Sequence, residues 1–212
     1  MRFTLIYNGK LPPQKGKKGT TKEKWDIRHK IHPQLLELWQ KSQTLKDVKV
    51  ASKIPPVGQA FNMQFSHHDD SYQFREAPND RDLYEPLEIK GQKFIPLIRK
   101  SMALICDLDI LFLRKEEPGA IISQGDPDNR IKTLIDGLRM PQCPDEMNNA
   151  GNDLPSPMHC LLQDDSLIAG YSIRTERLLS TPESLEEDVM LIIGVTIKVT
   201  RVSGYNLSLV SG

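Results

Sequence analysis

Asp126-Pro127-Asp128-Asn129-Arg130-Ile131-Lys132-Thr133-Leu134-Ile135-Asp136-Gly137-Leu138-Arg139 is the most informative stretch of the chain. From Ile131, apolar residues recur at Leu134, Ile135 and Leu138, the i, i+3, i+4, i+7 stripe of an amphipathic helix. Asp126 suits the N-cap, Pro127 suits the first helical position, and Pro141 stops the helix. The spacing predicts a helix over residues 127–139. Its polar residues are not scattered. At about 100° per residue, Asp128, Lys132, Asp136 and Arg139 fall on one stripe beside the apolar face. A stripe that borders the core is placed to line a cleft.

Capping accounts for Asp126, and the positive helix end favours Asp128. Neither explains Lys132, nor a second acidic pair, Asp164-Asp165, ahead of an apolar strand over residues 167–176. Carboxylates grouped in this way repel one another unless a cation lies between them. They point to a divalent metal site, and the lysine beside them to a phosphate. Spacing alone leaves the capped helix and the metal site both open.

Around this segment the chain reads as α+β. Residues 1–8 form a first strand. Residues 25–43 carry helical spacing, interrupted at Pro33. Residues 102–113 read as a buried central strand, with Asp107 and Asp109 on one face, either as its solvent side or as distant members of the acidic site. Residues 189–201 alternate, with Val189, Leu191, Ile193, Val195, Ile197 and Val199 on one face, the pattern of a half-buried strand. Residues 141–160, rich in Pro, Asn and Asp, read as a long loop. Residues 52–86 read as an irregular polar insertion, and its His67-His68-Asp69-Asp70 as solvated loop rather than metal ligands. The sum is one domain over 1–212, a mixed β-sheet of about four or five strands with helices packed on it.

Of the 212 residues, 38% are hydrophobic and 26% charged, with zero net charge. That balance excludes a uniformly basic nucleic-acid binder. The charge is uneven, however. Lys10, Lys15, Lys17, Lys18, Lys22, Lys24, Arg28 and Lys30 face only Glu23 and Asp26 within residues 10–32. This cluster is either a phosphate-backbone footprint or a solvated loop. No apolar run approaches the roughly 20 residues that span a bilayer. Cys106, Cys143 and Cys160 lack zinc spacing and an even count, as expected of a cytoplasmic chain with reduced thiols.

The order Asp126-x-Asp128-Asn129-x-x-Lys132, then Asp136, then Leu162-x-Asp164-Asp165 and an apolar strand resembles the RusA family of Holliday-junction resolvases. Leu11-Pro12-Pro13 after the first strand fits as well. The likeness covers roughly residues 100–178 and, more loosely, the first and last strands. This chain is longer than typical members, with polar insertions at about 44–93 and 140–160. The resemblance implies a RusA-like fold and a Mg²⁺-dependent endonuclease acting on branched or structured DNA, as in recombination and repair, with Mn²⁺ as a substitute. It implies that Asp126, Asp128 and Asp165 hold the metal, with Asp164 and Asp136 as further acidic positions, and that Lys132 is the catalytic lysine. Lys10, Lys15, Lys17, Lys18, Lys22, Lys24, Arg130 and Arg139 are then the candidate DNA contacts, and symmetric cleavage calls for a homodimer. Two other readings stay open: a RusA-like scaffold that binds structured DNA without cutting it, and a phosphoryl-transfer enzyme acting on nucleotides.

Overall fold

A long strand, β4 (Leu104–Arg114), runs through the middle of the main sheet. Buried and half-buried side chains alternate along its whole length, so one face meets the core. On one side it pairs in parallel with β6 (Ile168–Arg177). On the other it pairs antiparallel with β7 (Val189–Val199), which pairs antiparallel with β1 (Arg2–Gly9). The order is β1-β7-β4-β6. A second sheet joins β2 (Leu87–Ile89), β3 (Gln92–Ile98) and β5 (Met158–Leu162), with β2 and β3 antiparallel and β3 and β5 parallel. Its hairpin turns at Lys90-Gly91, both at positive φ. The α+β class is as expected, with a second sheet that the sequence does not announce. The computed structural model describes residues 1–12, 21–52, 85–114, 127–148, 150–151, 153–179 and 189–210, with only the backbone at 50–52 and 127–129.

The helices are α1 (Thr21–Lys41), α2 (Gln43–Ser52), α3 (Pro127–Leu138) and the short α4 (Leu207–Val210). None among the described residues is long and apolar enough to cross a membrane. Helix α1 continues through Pro33, where the sequence predicts an interruption. Pro33 is exposed, while Trp25, Ile27, Ile31, Leu35 and Trp39 bury a continuous stripe across it. A proline inside a helix costs about 3 kcal/mol. Burying five large apolar side chains contributes roughly 1.5–3 kcal/mol each, so packing wins.

Two further stretches differ from expectation. The 141–160 loop gives way at Met158 to β5, whose five side chains are all buried. Part of the 44–93 insertion is regular: α2 buries Leu45 and Val48, and β2 and β3 close its far end. The His67-His68-Asp69-Asp70 segment lies outside the described residues.

Helix α3 crosses α1 at Gly137. A Cβ there would lie 2.7–2.8 Å from three side-chain atoms of Ile27, which is fully buried. Alanine at 137 would improve helix propensity by roughly 1 kcal/mol. The crowding against Ile27 outweighs this gain. Gly137→Ala is expected to lower stability by about 1–3 kcal/mol, read from the urea midpoint. An unchanged or higher midpoint would mean that the α1–α3 contact is loose.

His159 on β5 faces His32 and Trp39 of α1, with ring centroids 5.4 and 6.3 Å away. The His159 backbone N–H donates to His32 Nδ1 at 2.9 Å, while His159 Nδ1 is buried without a hydrogen-bond partner among the described residues. Burial first, and then His32, pushes the His159 imidazole down to about 4. An unfolded histidine titrates near 6.5. Between these values the unfolded chain binds the proton and the folded chain does not. The contribution of His159 is therefore complete above about pH 6.5 and lost as pH falls toward 4, about 3 kcal/mol in all. His159→Phe is expected to flatten the stability–pH curve between pH 6.5 and 4.5. Identical slopes for the two proteins would refute the assignment.

Candidate functional site

Helix α3 presents its half-buried edge toward the start of β6, and a cavity of 480 Å³ opens between them. Ile131, Lys132, Ile135 and Asp136 form the helix side. Asp165 and Ser166 come from a 3-10 turn, Asp165–Leu167, that leads into the strand. Ile168 to Tyr171 complete the wall. The β4–β6 register shifts here: Cys106 pairs with Ile168, but Asp107 pairs with Gly170, leaving Ala169 as an extra residue. Such a bulge re-aims the side chains that follow. Ile168 and Tyr171 consequently both sit on the core side of the sheet, in register with the buried Cys106 and Leu108.

The two neighbouring aspartates differ. Asp164 caps the turn: its carboxylate accepts the Ser166 backbone N–H at 2.9 Å and a short hydrogen bond from the Ser166 hydroxyl. The Ser166 hydrogen bonds, with Lys100 at 3.8 Å, hold the Asp164 carboxyl below its ordinary range. Asp165 is exposed, and its carboxylate makes no hydrogen bond or ion pair among the described residues. It is therefore open to a ligand.

The same contrast separates Lys132 from Asp136. Four residues apart, they could pair along the helix. Instead Asp136, 6% exposed, turns to α1 and α3, meeting Lys24 at 2.6 Å and Arg139 at 3.1 Å. Arg28 donates to the Asp136 carbonyl at 2.7 Å, and Arg139 forks onto Glu146 with two bonds of 3.0 Å. Burial pushes the Arg28 guanidinium down to about 10. This network joins α1, α3 and the 3-10 turn Pro144–Met147. Lys132 is left exposed, with no ion pair among the described residues, on the wall of the cavity that holds Asp165. An ammonium and a carboxylate, neither with a partner among the described residues, thus line one cavity.

The other expected residues fall as follows. Asp126 lies outside the described residues. The backbone of Asp128 is in the first turn of α3, four residues before Lys132, and its side chain is not described. Lys10 and Lys22 are exposed. Lys24 and Arg139 are engaged with Asp136, and Arg130 donates to the Leu11 carbonyl at 2.8 Å. Lys15, Lys17 and Lys18 lie outside the described residues. Asp107 and Asp109 sit on the opposite face of the sheet, where Asp107 pairs with Lys198, and Asp109 accepts from Ser172 at 2.7 Å and faces Arg174 at 3.6 Å.

Comparison with protein-family models, curated proteins and solved structures finds no match. The site therefore rests on its own chemistry. Among the described residues no three His, Cys, Asp or Glu side chains are grouped to hold a metal ion. Asp165 nevertheless fits an oxygen-ligated divalent cation, because its carboxylate is exposed and has no partner among the described residues. The carboxylates of Asp164 and Asp136 are already used by Ser166 and by Lys24 and Arg139. Tyr171 is the residue that sequence reading passed over. The run of small residues Ala169-Gly170 at a strand start was its one signal, since such residues often mark a bulge.

Proposed function

We propose that this chain is a Mg²⁺-dependent endonuclease of the RusA type, hydrolysing phosphodiester bonds in branched or structured DNA. The observation that carries the proposal is the shared cavity of Lys132 and Asp165, neither of which has an internal partner among the described residues. These are the lysine and the third acid named by the RusA resemblance. Asp165, with Asp126 and Asp128, would hold Mg²⁺. When bound, the ion supplies Lewis acidity toward a phosphate oxygen and lowers the pKa of a coordinated water. Lys132 binds the scissile phosphate and offsets charge that develops as the bond breaks. Asp136 is a positioning residue, since by taking Lys24 and Arg139 it fixes the register of α3 on α1 and leaves Lys132 for substrate. On this reading Lys10 and Lys22, both exposed, would contact the DNA backbone, and two copies acting together would cut both strands of a junction symmetrically. A cytoplasmic, recombination- or repair-related role follows from the same reading.

The test is cleavage of a synthetic four-way junction in Mg²⁺. Wild type is expected to nick it, and Lys132→Ala to do so about 10²-fold more slowly, the scale of losing one preorganised electrostatic contact. A wild type that cuts neither junction nor linear DNA in Mg²⁺ or Mn²⁺ would end the nuclease reading. Salt-sensitive junction binding without cleavage would instead mark a binding protein on this scaffold.

A further inference from the structure

The cavity beside Lys132 has a feature that phosphodiester hydrolysis does not require. Tyr171 is 55% exposed, although it lies on the core side of the main sheet. Tyr7, another tyrosine of that sheet, is fully buried and donates to Asp26 and to the Lys10 carbonyl. The Tyr171 hydroxyl makes no hydrogen bond among the described residues. Its ring therefore serves neither the core nor a polar network. It borders a cavity whose other walls include Ile131, Ile135 and Ile168, with Lys132 beside them. The Ala169 bulge puts it there; with unbroken alternation, Tyr171 would fall on the side opposite Ile168.

We infer that Tyr171 is a stacking shelf for one unstacked nucleobase, and that the cavity takes a single nucleotide with its base on the Tyr171 ring and its phosphate on Lys132. An exposed aromatic face offers a base sequence-tolerant stacking, the aliphatic walls cover the base edge, and the ammonium of Lys132 on the same cavity lining selects a phosphate. The volume of 480 Å³ lies within the range of about 300–1,000 Å³ of small-ligand sites. A base inside a duplex has both faces covered by its neighbours and has none to offer the ring. The occupant is therefore a nucleotide already unstacked, at a branch point or in a single strand. The inference deepens the nuclease reading by naming what the cavity grips, and it rests on that reading only for the bond that is cut.

The test uses 2-aminopurine deoxyribonucleoside 5′-monophosphate, whose fluorescence falls on stacking, titrated in EDTA so that no cleavage occurs. Wild type and Tyr171→Phe are expected to quench it with similar affinity, and Tyr171→Ala to bind about tenfold or more weakly. Deoxyribose 5-phosphate should compete poorly with wild type and equally well with Tyr171→Ala. Unchanged quenching in Tyr171→Ala overturns the shelf. So does a shift of Tyr171→Ala in sedimentation to a smaller species with probe binding intact, because the ring is then a contact between two copies. The two readings fail separately. Junction cleavage with probe binding indifferent to Tyr171 removes the shelf and keeps the nuclease. Tyr171-dependent probe binding by a wild type that cuts nothing supports the shelf and removes the nuclease.

Discussion

Asp165→Asn is expected to slow junction cleavage in Mg²⁺ by about 10³-fold, whereas Asp164→Asn should stay within a few-fold of wild type. Losing one metal-binding carboxylate removes several kcal/mol of transition-state stabilisation, and about 4 kcal/mol corresponds to about 10³ in rate. The neighbouring position should tolerate the same change because its work is capping. Asparagine accepts the Ser166 backbone N–H about as well as aspartate does. Asp165→Asn should fold normally, since an exposed carboxylate with no partner among the described residues contributes little to stability. Single-turnover rates for both variants, with thermal melts as a folding control, make the comparison. If Asp164→Asn were the slower enzyme, the two roles would be reversed.

The largest expected loss of stability follows from Asp136→Ala, at about 3 kcal/mol or more. The side chain is 6% exposed and answers two cations, Lys24 and Arg139, while buried Arg28 holds the adjacent carbonyl. Removing the carboxylate leaves positive charges facing each other where water reaches poorly, which costs about 3–5 kcal/mol for a broken buried pair. Glu146 still holds Arg139, so the lower part of that range is expected. Against a total stability of about 5–15 kcal/mol this is a large fraction. Urea unfolding of Asp136→Ala measures it directly. A loss below about 1 kcal/mol together with abolished cleavage would instead place Asp136 in the chemistry.

Much of this was legible in the sequence, and the parts that were not share a physical cause. Helix α3 and strands β1, β4 and β7 carry long periodic patterns, β6 opens on an apolar start after the acidic pair, and each lies close to its expected place. Strand β5 does not, because a strand buried on every side has no alternation to read and its Met158-His159-Cys160-Leu161-Leu162 run follows a Pro-rich stretch. The stripe on α3 put Lys132 and Asp136 together, four residues apart on the helix. The partners of Asp136 are instead on α1; Arg28, which meets its carbonyl, is 108 residues away in sequence. No local pattern carries that information. Tyr171 was hidden for a similar reason, since its face of the sheet is decided by one extra residue in the pairing with β4.

The proposed function requires that Asp165 and Lys132 frame a metal-dependent phosphodiester site. Anomalous diffraction from crystals soaked in Mn²⁺ tests it most directly. The expected result is a Mn²⁺ peak about 2.1 Å from an Asp165 carboxylate oxygen, beside the first turn of α3 and inside the cavity that holds Lys132. Mn²⁺ bound elsewhere, with the Asp165 carboxylate left in solvent, would contradict it.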